Sequence, residues 1–242
     1  MNPATGEHDT EIGVWRPEMP GGESSEELLV AFYEGRKTRI LVLPAWFDEA
    51  NRMRRFAVEA MRLLHLCGID SMLPDMPGCN ESLAPLNEQT IAGWRECAEE
   101  VAKGYGATHV LAIRAGALIA PPSLPGWRYA PQTGPKLLRA MIRASIIAAR
   151  EAGREETSEG LLELGRNEGL TLAGWPIGAA MIRELESTEP LPSDNQQEIA
   201  QSEIGGAGLW LRAEPDFDGA QAEAIVNIIN TARTSTENGA QE

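Results

Sequence analysis

Histidine is scarce in this sequence: 242 residues hold three, His8, His65 and His109. Chemistry that needs an imidazole therefore has few places to occur. Cysteine is equally sparse. Cys67, Cys79 and Cys97 are an odd set with no C-x-x-C spacing, which argues against a disulfide framework or a structural zinc site and predicts free thiols. Neither a metal nor a cofactor is expected. No uncharged run approaches the ~20 residues a bilayer crossing requires. The first nine residues show neither the basic start nor the apolar core of a secretory leader, so a cytoplasmic protein is expected. Basic residues are in deficit, 21 Lys and Arg against 36 Asp and Glu, and a net charge of -15 repels a phosphate backbone. Nucleic-acid binding is excluded on that ground.

What is present is a series of short apolar runs with helical stretches between them. Residues 28–33 and 38–43 read as two strands around the turn Glu34-Gly35-Arg36-Lys37. After the loop at 44–50, Asn51 is expected to cap a helix that runs to about residue 66, where Cys67-Gly68 stops it. A strand at 69–73, a turn-rich loop at 75–82 and a helix from about 90 to 103 follow. Alternation of strand and helix in this order predicts an α/β domain whose mostly parallel sheet carries helices on both faces.

The run Val110-Leu111-Ala112-Ile113-Arg114-Ala115-Gly116 then turns sharply at small residues and leads into a helix-competent Ala117-Leu118-Ile119-Ala120. This is the shape of a nucleophile elbow, with Ala112 and Gly116 at the outer small positions of G-x-S-x-G. Its central residue is Arg114. A guanidinium stays protonated and cannot attack a carbonyl.

The loop from Asp75 to Ser82, the helix after it and the elbow together resemble the α/β-hydrolase superfamily. Four stretches in order are similar to the exosortase A system-associated hydrolase 2 family: residues 43–55, Asp75-Met76-Pro77-Gly78-Cys79, Ile113-Arg114-Ala115-Gly116-Ala117, and Leu172-Ala173-Gly174-Trp175-Pro176-Ile177. The similarity spans about residues 38–215. It implies an α/β-hydrolase fold and an accessory or binding role beside bacterial machinery for exopolysaccharide and protein sorting at the inner membrane. Arginine at the elbow is also a habit of that family.

Acyl transfer in this fold needs nucleophile, acid and histidine in chain order. All three histidines precede Arg114, so the triad cannot be completed. Residues 209–213 are expected to form the strand that presents an acid at Asp216 or Asp218, with one helix at about 219–232 after it. Cys79 and Asp75 are the remaining catalytic candidates, for an esterase or thioesterase with a non-standard nucleophile. Without an imidazole the Cys79 thiol should be protonated. The binding candidates are Arg114 and Ala115, with Trp46 and Phe47 on the wall, for an acidic small molecule or acidic peptide end. The competing reading is an internal ion pair of Arg114 with Asp48, Glu49 or Asp75, because an unpartnered buried guanidinium would cost several kcal/mol.

Past the breaker Pro121-Pro122 a further strand is expected at 127–131, then a helical cap over about 132–189. The cap's first helix, 135–153, carries Lys136, Arg139, Arg143, Arg150 and Arg154 in one basic stripe. It reads first as a buried cap helix with one solvated edge, with a dimer seam or a membrane-surface contact as the alternatives. Helices at about 155–167 and 176–186 and a mobile loop at 190–208 complete the reading. The domain is expected to occupy 28–233, with flexible segments at 1–27 and 234–242, the first of which has Ile12-Gly13-Val14-Trp15 as a short stretch able to pin to the body.

Overall fold

The apolar runs of the sequence become the middle of a sheet because side chains on both of its faces have somewhere dry to go. The structure, a computed structural model, describes residues 10–17 and 25–239. Its strands are β1 (Thr10–Trp15), β2 (Glu27–Phe32), β3 (Arg39–Leu43), β4 (Asp70–Pro74), β5 (His109–Ile113), β6 (Gly126–Tyr129) and, much later, β9 (Gln196–Ile199). They lie in the order β1-β2-β4-β3-β5-β6-β9. β1 and β2 run antiparallel to their neighbours and the rest are parallel.

Successive side chains of a strand point to opposite faces. Along β3, Ile40 and Val42 join the core on one face, Leu41 and Leu43 the core on the other. β5 divides likewise, Leu111 and Ile113 against Val110 and Ala112. The first face is covered by α1 (Asp48–Leu66) and α7 (Gly219–Gly239), through residues such as Phe56, Met61, Ile225 and Ile229. The second is covered by α2 (Ile91–Gly104) and by an insertion between β6 and β9. That insertion contains α3 (Gly134–Glu151), α4 (Ser158–Glu168), a two-stranded hairpin of β7 (Leu170–Leu172) and β8 (Trp175–Ile177), and α5 (Ala179–Leu185).

Several expectations are corrected. α1 begins at Asp48, not after Asn51, because the chain turns at Phe47 with φ +54°. The run after Arg114 is a 3₁₀ turn, Arg114–Leu118, and not an α-helix; Pro121-Pro122 leaves it no room to lengthen. The polar stretch read as a mobile loop contains β9 and the short α6 (Gln201–Ile204). Residues 209–213 are not a strand: Leu209–Leu211 forms a 3₁₀ turn. Arg154 lies beyond the end of α3, so the basic stripe on that helix has four members. Thr10–Trp15, inside the amino-terminal segment expected to fray, is the edge strand of the sheet. Residues 1–9, 18–24 and 240–242 lie outside the described residues.

The elbow depends on close backbone approach. A Cβ on Gly116 would sit 2.5 Å from the carbonyl oxygen of Leu43 and 2.6 Å from that of Pro44. Both are backbone atoms that cannot swing aside. Gly116→Ala should therefore lower unfolding free energy by about 2 kcal/mol or more, an overpacking cost. Gly104→Ala, where a Cβ meets nothing within 4 Å, should be neutral or mildly stabilising. Denaturant unfolding of the two variants makes the comparison.

Candidate functional site

Three residues that follow adjacent strands hold backbone conformations side chains rarely adopt: Phe47 after β3, Arg114 after β5 and Ala130 after β6, with φ of +54°, +54° and +44°. Such strain persists only where surrounding contacts over-determine it. At the elbow the contacts are visible. Arg114 Nε–H donates to Glu49 Oε2 at 2.9 Å, an Nη2–H to Glu49 Oε1 at 3.1 Å, and an Nη1–H to the Ala130 carbonyl at 2.8 Å. The Trp210 ring covers the guanidinium at 4.1 Å. Tyr129 meets Trp210 edge-on at 5.9 Å and donates its hydroxyl proton to Gln201 Oε1. Burial pushes the Tyr129 phenol up, with the nearby Arg114 charge opposing that shift.

The arginine therefore has its bidentate carboxylate already, and its side chain is 13% exposed. Of the three carboxylates that could have paired with it, Glu49 does so; Asp48 Oδ1 accepts from the Trp175 indole instead, and Asp75 Oδ1 accepts from Arg54 at 2.7 Å. Ala115 is fully buried.

Trp46 and Phe47 face a different space. They line a cleft of about 230 Å³ together with Asp75, Cys79, Arg54 and Trp175, and neither Arg114 nor Ala115 belongs to its wall. The expected site thus divides in two, an elbow that meets Glu49 in the first turn of α1 and a cleft lined by Trp46 and Phe47 just before that helix. An aromatic chain braces the cleft: Trp94 packs edge-on to Trp46 at 4.8 Å, Trp46 meets Phe47 at 6.3 Å, and Phe47 meets Trp175 at 5.6 Å.

Beneath the cleft lies a buried carboxylate pair. Asp75 is held by Arg54 on one oxygen, while its Oδ2 has no hydrogen-bond partner. Glu27 accepts from the Ser82 hydroxyl at 2.9 Å, and its Oε2 likewise has none. Burial raises the Glu27 carboxyl above the usual range and the Asp75 charge adds to it. The Trp46 indole N–H is a third buried polar group without a partner. The half-buried Cys79 thiol is pushed well up, first by burial and then by Asp75 and Glu27, which leaves it protonated at neutral pH.

Neither described histidine reaches these groups. His65 pairs with Glu34 and Arg36 at the far end of α1, and His109 stacks on Trp127 at 5.6 Å. His8 lies outside the described residues. Among the described residues no group of three or more His, Cys, Asp or Glu side chains is placed to hold a metal ion. The 200–218 region was legible only as loop and strand, so the part played by Trp210 was missed. The breaker-rich sequence there carries no signal for it.

With this geometry in view, the comparisons place the chain in the α/β-hydrolase fold. No family model matches the sequence, and no curated protein does. Solved structures do match. Mouse alpha/beta hydrolase domain-containing protein 10 superposes with a TM-score of 0.55 at 12% identity, over 93% of this chain and 99% of that one. A hypothetical protein from Pseudomonas aeruginosa gives 0.55 at 9%, over 92% and 94%. Est1E from Butyrivibrio proteoclasticus, a structure with ferulic acid bound, gives 0.52 at 12%, over 86% and 95%.

Two measurements probe the site's electrostatics. Glu49→Ala leaves the Arg114 guanidinium half-satisfied and should cost about 3 kcal/mol, whereas Arg114→Met combined with Glu49→Leu should cost less than the two single changes summed. Glu27 has a raised carboxyl, so the contribution of its neutral form is present below the unfolded value and lost as pH rises through the folded one. Glu27→Gln should therefore raise the melting temperature at pH 8, and the gain should shrink at pH 4.5.

Proposed function

We propose that this chain is a binding protein on an α/β-hydrolase scaffold and not an ester hydrolase. The observation that carries the reading is the elbow itself. The residue at the attacking position is a cation each of whose three nitrogens donates to Glu49 or Ala130 and whose face is covered by Trp210. The protonated Cys79 thiol supports the same reading, since a thiol without a base is a poor nucleophile.

Binding is assigned to the adjacent cleft. At about 230 Å³ it is smaller than most drug-sized pockets, which limits an occupant to roughly one ring and its substituent. Its wall is mainly apolar and aromatic. The charged residues in the wall are Arg54, Asp75 and Glu81, so an anion gains little there and a neutral or cationic group fits better. The Asp75 carboxylate in this wall, set among apolar and aromatic side chains, suits an alcohol or amine on an apolar body. The acidic ligand expected from Arg114 would have to displace Glu49 first.

Three of the four stretches that resemble the exosortase-associated family, those around Trp46, Asp75 and Trp175, contribute to this one cleft. On that basis the protein is assigned a cytoplasmic accessory role in such a sorting system, with the cleft as its working part.

Tryptophan fluorescence and thermal shift against benzylamine, benzyl alcohol and benzoate, run beside hydrolysis of short p-nitrophenyl esters, test the reading. The amine and alcohol should bind ahead of benzoate, Asp75→Asn should remove the amine's advantage, and ester turnover should not exceed the buffer rate. Turnover that Cys79→Ser abolishes, or a preference for benzoate, would overturn it.

A further inference from the structure

The outward face of α3 bears Lys136, Arg139, Arg143 and Arg150, all exposed, and among the described residues none of the four makes an ion pair. At 100° per residue they fall within about 60° of one another, and Ile147, 53% exposed, lies on the same stripe between Arg143 and Arg150. The opposite face of the helix, Leu137, Leu138, Met141, Ile142 and Ala149, is already buried against the body, so the stripe is held in a fixed row about 21 Å long from its first cation to its last. A protein with net charge -15 has concentrated unpaired cations on one cap helix.

We propose that this face rests on the surface of an anionic lipid bilayer. None of the row's residues lines a described cavity, so it offers no groove for a peptide, whereas a plane of headgroup phosphates needs none. A second copy pairing through this face about a two-fold axis would set the cations against their own counterparts. A polyanionic nucleic acid would meet repulsion from the strongly acidic remainder over a larger footprint. Ile147 fits the boundary between headgroups and acyl chains, where an apolar tip among cations is accommodated. The negative charge elsewhere is screened within about 8–10 Å at physiological salt, so local attraction can prevail. The contact is reversible, since one short polybasic row without a second anchor holds weakly. On the inward side of the same helix, Ser145 accepts from the Ala173 N–H of the β7–β8 hairpin, and that hairpin carries Trp175, so the helix that bears the stripe also supports a wall of the cleft.

Flotation of the full chain with phosphatidylcholine vesicles, with and without about 30 mol% phosphatidylglycerol, tests this. Binding is expected only to the anionic vesicles, at low salt, and should be lost at about 0.5 M salt. Arg139→Ala with Arg143→Ala should lower partitioning about 25-fold, about fivefold per cation, without changing the melting temperature. Ile147→Ser should weaken binding while keeping its salt dependence. Failure to float with anionic vesicles, equal binding to neutral ones, an unaffected double variant, or a dimer by light scattering that the double variant disperses would each overturn the proposal. The ester and ligand assays do not bear on this outcome, so the two readings fail separately.

Discussion

A positive charge that cannot be titrated away stands at the corner where β5 turns, and the surrounding structure answers it. Arg114 is held between an α1 carboxylate, the carbonyl after β6 and the face of Trp210. These partners come from three separate parts of the chain. The same contacts hold the left-handed backbone at Arg114 and Ala130, each of which costs of order 1–3 kcal/mol. The scaffold's most demanding turn is thus retained, while the space above it is filled from within.

Filling the elbow moves the usable space sideways. The corner from Pro44 into the first turn of α1 carries different chemistry on its two sides: Glu49 pairs with the arginine, and Trp46 and Phe47 line the cavity. Charge is distributed to match. The elbow is a satisfied pair, whereas the cleft retains two carboxylate oxygens and an indole N–H with no partner in or beneath its wall. Buried polar groups are nearly always hydrogen-bonded, so a cluster of exceptions beside a cavity has more functional meaning than a satisfied ion pair does.

How much of this was legible follows from how each element earns its place. β2, β3 and β5 are buried on both faces and read as unbroken apolar runs. β9 is Gln196-Gln197-Glu198-Ile199 at the sheet's edge. It owes its existence to a parallel ladder with β6 and to Gln196 contacts with Arg128, Pro121 and Leu124, none of which leaves an apolar pattern. The residues after Arg114 have good helix propensity, but close packing of Gly116 and the proline pair confine them to a 3₁₀ turn, a case of tertiary context overriding propensity. Glu49 could be named as a partner for Arg114 because charge balance demanded a carboxylate nearby. Trp210 could not, because the approach of a tryptophan 96 positions downstream depends on a path through irregular chain.

That irregular chain is itself informative. Between β9 and α7 the described residues pass through α6 and a 3₁₀ turn without adding a strand, while α7 still packs against α1 beneath the sheet. A histidine-bearing strand end is what acyl transfer would require in this interval. Instead the interval delivers an indole onto the arginine. Arg52 supports the arrangement by donating to the Trp210 carbonyl at 3.3 Å, so α1 grips both Arg114, through Glu49, and the segment that covers it. A serine placed at position 114 would therefore leave Glu49 without its arginine and Trp210 over an empty corner, with neither His65 nor His109 among its neighbours. The surroundings of position 114 are thus fixed by several elements at once, α1, the corner after β6 and the segment that carries Trp210.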